Sequence, residues 1–267
     1  MARQSVTQER SSWWVVTDLD GTLLDHHYDW TPAAEAIRWL QQQGIPVIPC
    51  TSKTAEEVRR FRQDAGLSDP FIVENGGAIH GQHPNGEEWE ISLGPGWQEL
   101  RPKLKLMEAE LGEPLLALDE LSDSEGDRLL GLSGEALRMA QRRRCSVPFV
   151  APPPSSRDRL IAMVQDYRLT IVEGNRMAHL LGEGISKGRA LEALKQHQGC
   201  SDVQILGLGD SPNDLPLLEV ADIAVVVPGV KGPHPMLIEG IADGRFQLAR
   251  APHGSGWAES VQRLLSG

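Results

Sequence analysis

The stretch Trp14-Val15-Val16-Thr17-Asp18-Leu19-Asp20-Gly21-Thr22-Leu23-Leu24 decides the fold. Its apolar run reads as a buried strand that ends in two carboxylates, Asp18 and Asp20, followed by a glycine and a hydroxyl. Carboxylates separated by one apolar residue at a strand end both project beyond the sheet edge, where open parallel sheets bind ligands. Two such groups repel unless a cation or a shared proton neutralises them. The chemistry suited to the pair is covalent carboxylate catalysis with a hard metal: one Asp attacks, the other moves protons, and a magnesium-like ion holds the charge together. A bare D-x-D-G also fits a plain turn. The longer D-L-D-G-T-L-L-D over 18–25, directly after a β run, is far harder to obtain by accident.

Downstream, Thr31-Pro32 supplies a capping hydroxyl and a proline at the first helical position. Ala33, Ile37 and Leu40 then share one helix face, and Gly44 ends the helix. The run 45–50 reads as a short, proline-constrained strand. Thr54 with Glu57 makes a capping box for a helix ending near Gly66. Phe71-Ile72-Val73 is the next strand, so strand–helix–strand–helix–strand predicts a parallel sheet with crossover helices. Around His83-Pro84-Asn85-Gly86 the rhythm changes. Helical spacing at Leu100, Leu104, Met107 and Leu111, a helix capped by Ser133, and a Ser155/Asp158 capping box after a Pro152-Pro153-Pro154 hinge alternate with β-like pieces at 146–150 and 170–172. The block 84–183 therefore reads as an α+β domain inserted into a core of 13–83 and 184–267. From Gly184 the α/β rhythm resumes, with a helix opening at Ser186-Lys187-Gly188, strands at 203–208 and 223–227, and a final helix carrying Trp257, Val261, Leu264 and Leu265.

With 267 residues, 40% hydrophobic and 24% charged, the chain has the composition of a globular protein with a sizeable core. A formal net charge of -11 argues against nucleic acid or an anionic membrane as partner. The three cysteines, Cys50, Cys145 and Cys200, have no paired spacing and suit a reducing compartment. No stretch approaches the roughly 20 apolar residues of a membrane helix. The first dozen residues are polar and read as a frayed leader and not a signal peptide, so a cytoplasmic location is expected.

Four pieces fall at the C-terminal ends of expected strands: Asp18/Asp20, Thr51, Lys187, and Asp210/Asp214 in the turn Gly207-Leu208-Gly209-Asp210-Ser211-Pro212-Asn213-Asp214. Singly, Thr51 is a helix-entry residue, Lys187 a solvated lysine and the G-x-G-D turn a plain or calcium-binding turn. Together, four carboxylates in one crevice require a hard divalent cation, and Mg²⁺ suits few protein ligands plus phosphate. A hydroxyl and a lysine complete what a transferring phosphoryl group needs. In this order the motifs resemble those of the haloacid dehalogenase superfamily, whose members are mostly phosphatases. The resemblance implies an α/β fold, a Rossmann-like parallel-sheet core with an inserted α+β cap. It also implies that Asp18 is the nucleophile and Asp20 the general acid and then base. Asp18, the Asp20 backbone carbonyl, Asp210 and Asp214 (as ligand or directly behind one) would hold Mg²⁺, while Thr51, Lys187 and Asn213 would hold the phosphoryl oxygens.

An insert between Thr51 and Lys187 resembles the branch with an α/β cap, whose members mostly act on phosphorylated sugars. Thr51-Ser52-Lys53, where most of that branch has T-G-R, and Phe71-Ile72-Val73-Glu74-Asn75-Gly76-Gly77 are similar to the mannosyl-3-phosphoglycerate phosphatase family. Gly131-Leu132-Ser133, Ser146-Val147-Pro148-Phe149 and Arg176-Met177-Ala178-His179 agree in part. Val147 stands where that family often has glutamate, and the basic run Arg142-Arg143-Arg144 blurs the alignment beside it. The likeness implies a substrate-facing set of Thr51, Ser52, Lys53, Asn75, Arg176, His179, Lys187 and Asn213. The implied partner is a small phosphorylated sugar or a glycosyl-phosphoglycerate, taken by a monomer or weak dimer; glucosyl-3-phosphoglycerate and sucrose phosphate are the alternatives. An ester of this kind carries a carboxylate, which Arg176 would pair in two-pronged fashion. On their own, Arg176 also reads as a surface arginine, His179 as a core histidine, and Trp30 as either an aromatic wall or core filler.

Overall fold

The computed structural model describes residues 13–266, and the leader expected at the first dozen residues lies outside them. Five parallel strands run in the spatial order β11 (Gln247–Leu248), β10 (Ile223–Val226), β9 (Gln204–Gly209), β1 (Trp13–Thr17) and β2 (Val47–Pro49). β1 lies inside the sheet, between β9 and β2, and both its faces are apolar. Val15 packs with Ile37, Leu40, Val58, Trp257 and Val261 on one side. Trp14 and Val16 pack with Leu191, Leu194 and Leu217 on the other. A strand buried on both faces must read as a continuous hydrophobic run, and this one does. Helices α1 (Ala34–Gln42), α2 (Ala55–Ala65) and α10 (His253–Leu265) supply the first face, and α7 (Lys187–Gln198) and α8 (Leu215–Val220) the second. The short helix α9 (Ile238–Ala242) lies between β10 and β11.

β3 (Phe71–Val73) departs from the expected third parallel strand. It touches β2 through an isolated bridge, Cys50 to Ile72, and the Thr51 N–H to the Ile72 carbonyl at 3.0 Å. Pro46 and Pro49 offer no N–H to a neighbour, which keeps that ladder short. Its main pairing is antiparallel, to β4 (Ala78–Gln82), which pairs in turn with β5 (Glu88–Ser92). The change of rhythm at His83–Gly86 is the turn of this hairpin, closed by His83 N–H to the Glu87 carbonyl at 2.8 Å.

Beyond β5 the chain builds a three-stranded antiparallel sheet, with β6 (Val147–Phe149), β8 (Ala178–Gly182) and β7 (Leu169–Glu173) side by side in that order. Helices α3 (Trp97–Leu111) and α6 (Pro154–Asp166) cover it through Leu100, Leu104, Leu160 and Val164. The small pair α4 (Asp123–Leu130) and α5 (Gly134–Gln141) packs beside it around Leu118, Leu137 and Met177. Two capping expectations fail here. Ser133 precedes α5 without a side-chain cap, and α6 starts at Pro154, upstream of the Ser155/Asp158 box. Proline needs no partner for a missing N–H and holds a helical φ, so the proline run enters the helix directly. The Thr54–Glu57 box and the left-handed Gly66 cap form as expected.

Candidate active site

The end of β1 is shaped to present carboxylates. The Asp18 N–H continues the ladder to the Leu208 carbonyl at 2.9 Å, while Leu19 turns into the core. Gly21 then takes φ +89°, and a Cβ there would meet the Asp210 carboxylate at 2.5 Å, so only glycine lets the two motifs approach. Thr22 Oγ1 donates to Asp210 Oδ1 at 2.8 Å, joining the first motif to the last.

Lys187, at the first turn of α7, is fully buried and not a surface lysine. Its Nζ donates to Asp18 Oδ1 at 2.7 Å and to Asp214 Oδ1 at 2.5 Å. Burial works against its charge, but Asp18 and Asp214 outweigh it and hold the ammonium well above the ordinary lysine range. The other Asp214 oxygen accepts the N–H groups of Asp210 (2.9 Å) and Ser211 (3.0 Å), which folds the turn after β9. Burial pushes the Asp18 carboxyl up to about 7 against the pull of Lys187, with Asp214 adding to the rise. Asp210 is likewise raised, by burial first and then by Asp214 and Asp18. Carboxylate oxygens of Asp18, Asp210 and Asp214 lie within 4.8 Å of one another. Three carboxylates, two buried and Asp210 half-buried, against one lysine form an all-oxygen set short of positive charge, and that donor chemistry fits a hard divalent cation such as Mg²⁺.

Asp20 stands apart from that trio and pairs with Lys53, Oδ2 to Nζ 2.9 Å. Lys53 also lies 3.5 Å from Glu57 and 4.6 Å from the ring centre of Tyr28. Both carboxylates raise its pKa despite burial. These groups open on a cavity of about 390 Å³ between the strand ends and the inserted segment. Ser52, Lys53, Arg176, His179 and Asn213 line it; Thr51 and Asn75 are buried outside the lining. Thr51 shapes the loop instead, its carbonyl accepting the Asn75 N–H at 3.0 Å and its hydroxyl the Lys53 N–H at 3.3 Å. Asn75, at φ 59°, accepts from Asn213 Nδ2 at 2.9 Å and so orients a lining residue. Arg176 donates to the Leu130 carbonyl and the Tyr28 hydroxyl. His179 is neutral, because burial, then Arg143 and Lys187, push its pKa down to about 3.

Several lining residues carry no clear sequence signal. The aromatic wall is Tyr28 and not Trp30, which instead packs edge-on against Phe61 at 6.1 Å. Asn175 donates to Asp210 at 2.9 Å, and the His253 ring Nδ1–H reaches the Gly21 carbonyl at 2.8 Å. In sequence Glu57 is visible only as a helix cap and Arg143 only as part of a basic run; nothing local marks His253.

A family model described as haloacid dehalogenase-like hydrolase matches residues 15–91 and 157–228, more than half of the chain. A glucosyl-3-phosphoglycerate/mannosyl-3-phosphoglycerate phosphatase of Persephonella marina is 29% identical over 269 residues, covering 94% of this chain and 97% of that protein. Among solved structures, the Thermoplasma acidophilum 0175 protein superposes with a TM-score of 0.71 at 18% identity, over 94% of this chain and 96% of that one. The sucrose-phosphatase of Synechocystis, solved with sucrose and phosphate, gives 0.65 at 19% identity, over 94% and 97%. At such identities the superpositions speak for the fold alone.

Proposed function

We propose that this chain, which belongs to the haloacid dehalogenase-like hydrolases, is a Mg²⁺-dependent phosphatase working through an aspartyl-phosphate on Asp18, and that its substrate is mannosyl-3-phosphoglycerate. The observation that carries the reading is the adjacency of two differently partnered carboxylates, Asp18 on Lys187 and Asp20 on Lys53, at the floor of one cavity. Asp18 Oδ attacks phosphorus and the P–O bond to the leaving oxygen breaks, with Asp20 delivering the proton that oxygen needs. Water then attacks the aspartyl-phosphate, gives its proton to Asp20 and releases inorganic phosphate, which restores the Asp18 carboxylate and the protonated Asp20 with which the cycle began. Asp18, the Asp20 backbone carbonyl, Asp210 and Asp214 would hold Mg²⁺, which when bound neutralises charge on the phosphoryl oxygens. Lys187 and Asn213, with the Thr51-Ser52 loop, surround those oxygens, and Asn75 fixes Asn213.

Residues 13–83 and 184–267 form the catalytic unit in this reading, and 84–183 the cap that encloses a small substrate and excludes water. The cationic Lys53 and Arg176 and the neutral His179 suit the glycerate end and its hydroxyl. Support for a glycosyl-phosphoglycerate comes from the Persephonella marina relative; glucosyl-3-phosphoglycerate is the alternative within that class, and sucrose phosphate outside it. No helix among the described residues is long and apolar enough to cross a membrane. The proposed setting is the cytoplasm and the proposed state a monomer or weak dimer. Phosphate release measured with mannosyl- and glucosyl-3-phosphoglycerate, sucrose 6-phosphate and hexose phosphates tests the substrate. The expected result is kcat/KM for a glycosyl-phosphoglycerate at least about tenfold above the hexose phosphates, a floor well below what a site built to hydrogen-bond a polar group can discriminate; equal rates would defeat the assignment.

A further inference from the structure

Arg143 carries a buried charge that the reaction derived above leaves unused. It follows α5, its side chain is only 7% exposed, and it lines the cavity. Nε donates to the Ala140 carbonyl at 2.6 Å and Nη1 to the Ser52 carbonyl at 2.5 Å, so one guanidinium spans the insert and the catalytic loop. Its Nη2 stands 3.9 Å from Glu57 Oε2. Glu57 is itself 11% exposed and accepts the Thr54 N–H at 2.8 Å and the Thr54 hydroxyl at 2.9 Å. Its other oxygen is 3.5 Å from Lys53 Nζ, which in turn is 2.9 Å from Asp20.

Asp20, Lys53, Glu57 and Arg143 therefore form a row of alternating charges, with little water to screen the inner members. Lys53 lies between two carboxylates and is closer to Asp20. What lets it stay there is that Glu57 has a second cation on its far side. We infer that Arg143 is a positioning residue for the reaction: by satisfying Glu57 from the insert, it leaves Lys53 committed to Asp20 and fixes the carboxyl that serves the leaving oxygen. The inference rests on Asp20 being the acid–base group, and it makes a correctly seated insert a condition for that group to be in place. Without Arg143, Glu57 draws Lys53 away and Asp20 loses its partner.

Steady-state kinetics of Arg143→Gln, which keeps a donor for Ser52 but drops the charge, tests this. With the best sugar or glycerate phosphate, kcat falls about tenfold, part of the contribution of a positioned proton donor, and KM changes less than about twofold. The loss is smaller for 4-nitrophenyl phosphate, whose leaving oxygen needs no proton. Adding Glu57→Gln recovers most of the rate, because no carboxylate competes for Lys53. In a Lys53→Met background, Arg143→Gln costs less than about twofold more, the non-additivity of residues that act through one another. Equal losses on both substrates, a change confined to KM, or additive effects overturn the inference and make Arg143 a substrate contact or a bolt between segments. Should Arg143→Gln fail to fold, Arg143→Lys retains the charge, and a folded Lys variant as slow as Lys53→Met overturns the inference equally. Asp18→Asn separates the two levels. If it abolishes turnover while the cycle is additive, only the role of Arg143 fails; if it turns over normally, the reading of the site fails with it.

Discussion

A buried ammonium persists only where carboxylates outweigh its desolvation, and Lys187 has two within 2.7 Å. A buried imidazole takes the other course and gives up its proton. His80 is 3% exposed and stacked on Phe71, and burial holds its pKa at about 4 even though Glu90 pulls the other way. The unfolded chain, near 6.5, takes up the proton first. Stability from neutral His80 is therefore complete above about pH 6.5 and is lost toward pH 4, at about 1.4 kcal/mol per pH unit. Chemical denaturation at both pH values should show roughly 3 kcal/mol less pH dependence in His80→Gln than in the parent; identical pH dependence would show that folding leaves the His80 pKa unshifted. Among site residues, the legible ones lie in compact motifs: Asp18 and Asp20 are two residues apart, and Asp210 and Asp214 four. Arg143 and His253 were not legible, because the groups they serve, Ser52 and Gly21, are 91 and 232 residues away in sequence. No local spacing encodes such a contact.

At the scale of elements, the loop after β3 joins the two halves of the molecule. Glu74 and Asn75 both hold positive φ, an uncommon conformation for residues with a side chain, and each is kept there by distant partners. The Glu74 carboxylate accepts the N–H groups of Arg144 (2.9 Å) and Cys145 (3.0 Å) and the Ser146 hydroxyl (2.7 Å), clamping the strand that returns from α5. Glu74→Gln turns an NH₂ toward donors, so a loss of about 2–3 kcal/mol is expected in thermal or urea unfolding. A loss below about 0.5 kcal/mol would mean the clamp is dispensable. Strands buried on both faces, β1 and β9, were legible as apolar runs, as was the α2 capping box. The β4–β5 hairpin was not, although Glu88-Trp89-Glu90-Ile91-Ser92 alternates. Its pairing depends on Trp89 lying over Gly81, where a Cβ would come 2.1 Å from the indole.

The whole molecule places a highly charged site under apolar cover. Leu118, Leu130, Leu132 and Met177 roof the cavity, and the charged floor comes from the ends of β1, β2 and β9, backed by the buried Lys187 at the start of α7. In the proposed reading this division separates chemistry from selection: the strand ends would hold the phosphoryl group, and the inserted segment would meet what it is attached to. An insert at 84–183 was expected because the four motifs stay in order around it, and an α+β character because helical and β-like pieces alternate there. Its path back over the core was not readable, since that depends on Glu74, Ser52 and Arg143 meeting in space. The proposed chemistry requires Asp18 to become phosphorylated in every turnover. Borohydride quenching during turnover reduces an acyl phosphate to an alcohol, and peptide mass spectrometry then locates it. Homoserine in place of Asp18, dependent on substrate and absent from Asp20 and Asp210, is the predicted result; turnover with no reduced residue, or with the label elsewhere, would contradict covalent catalysis at Asp18.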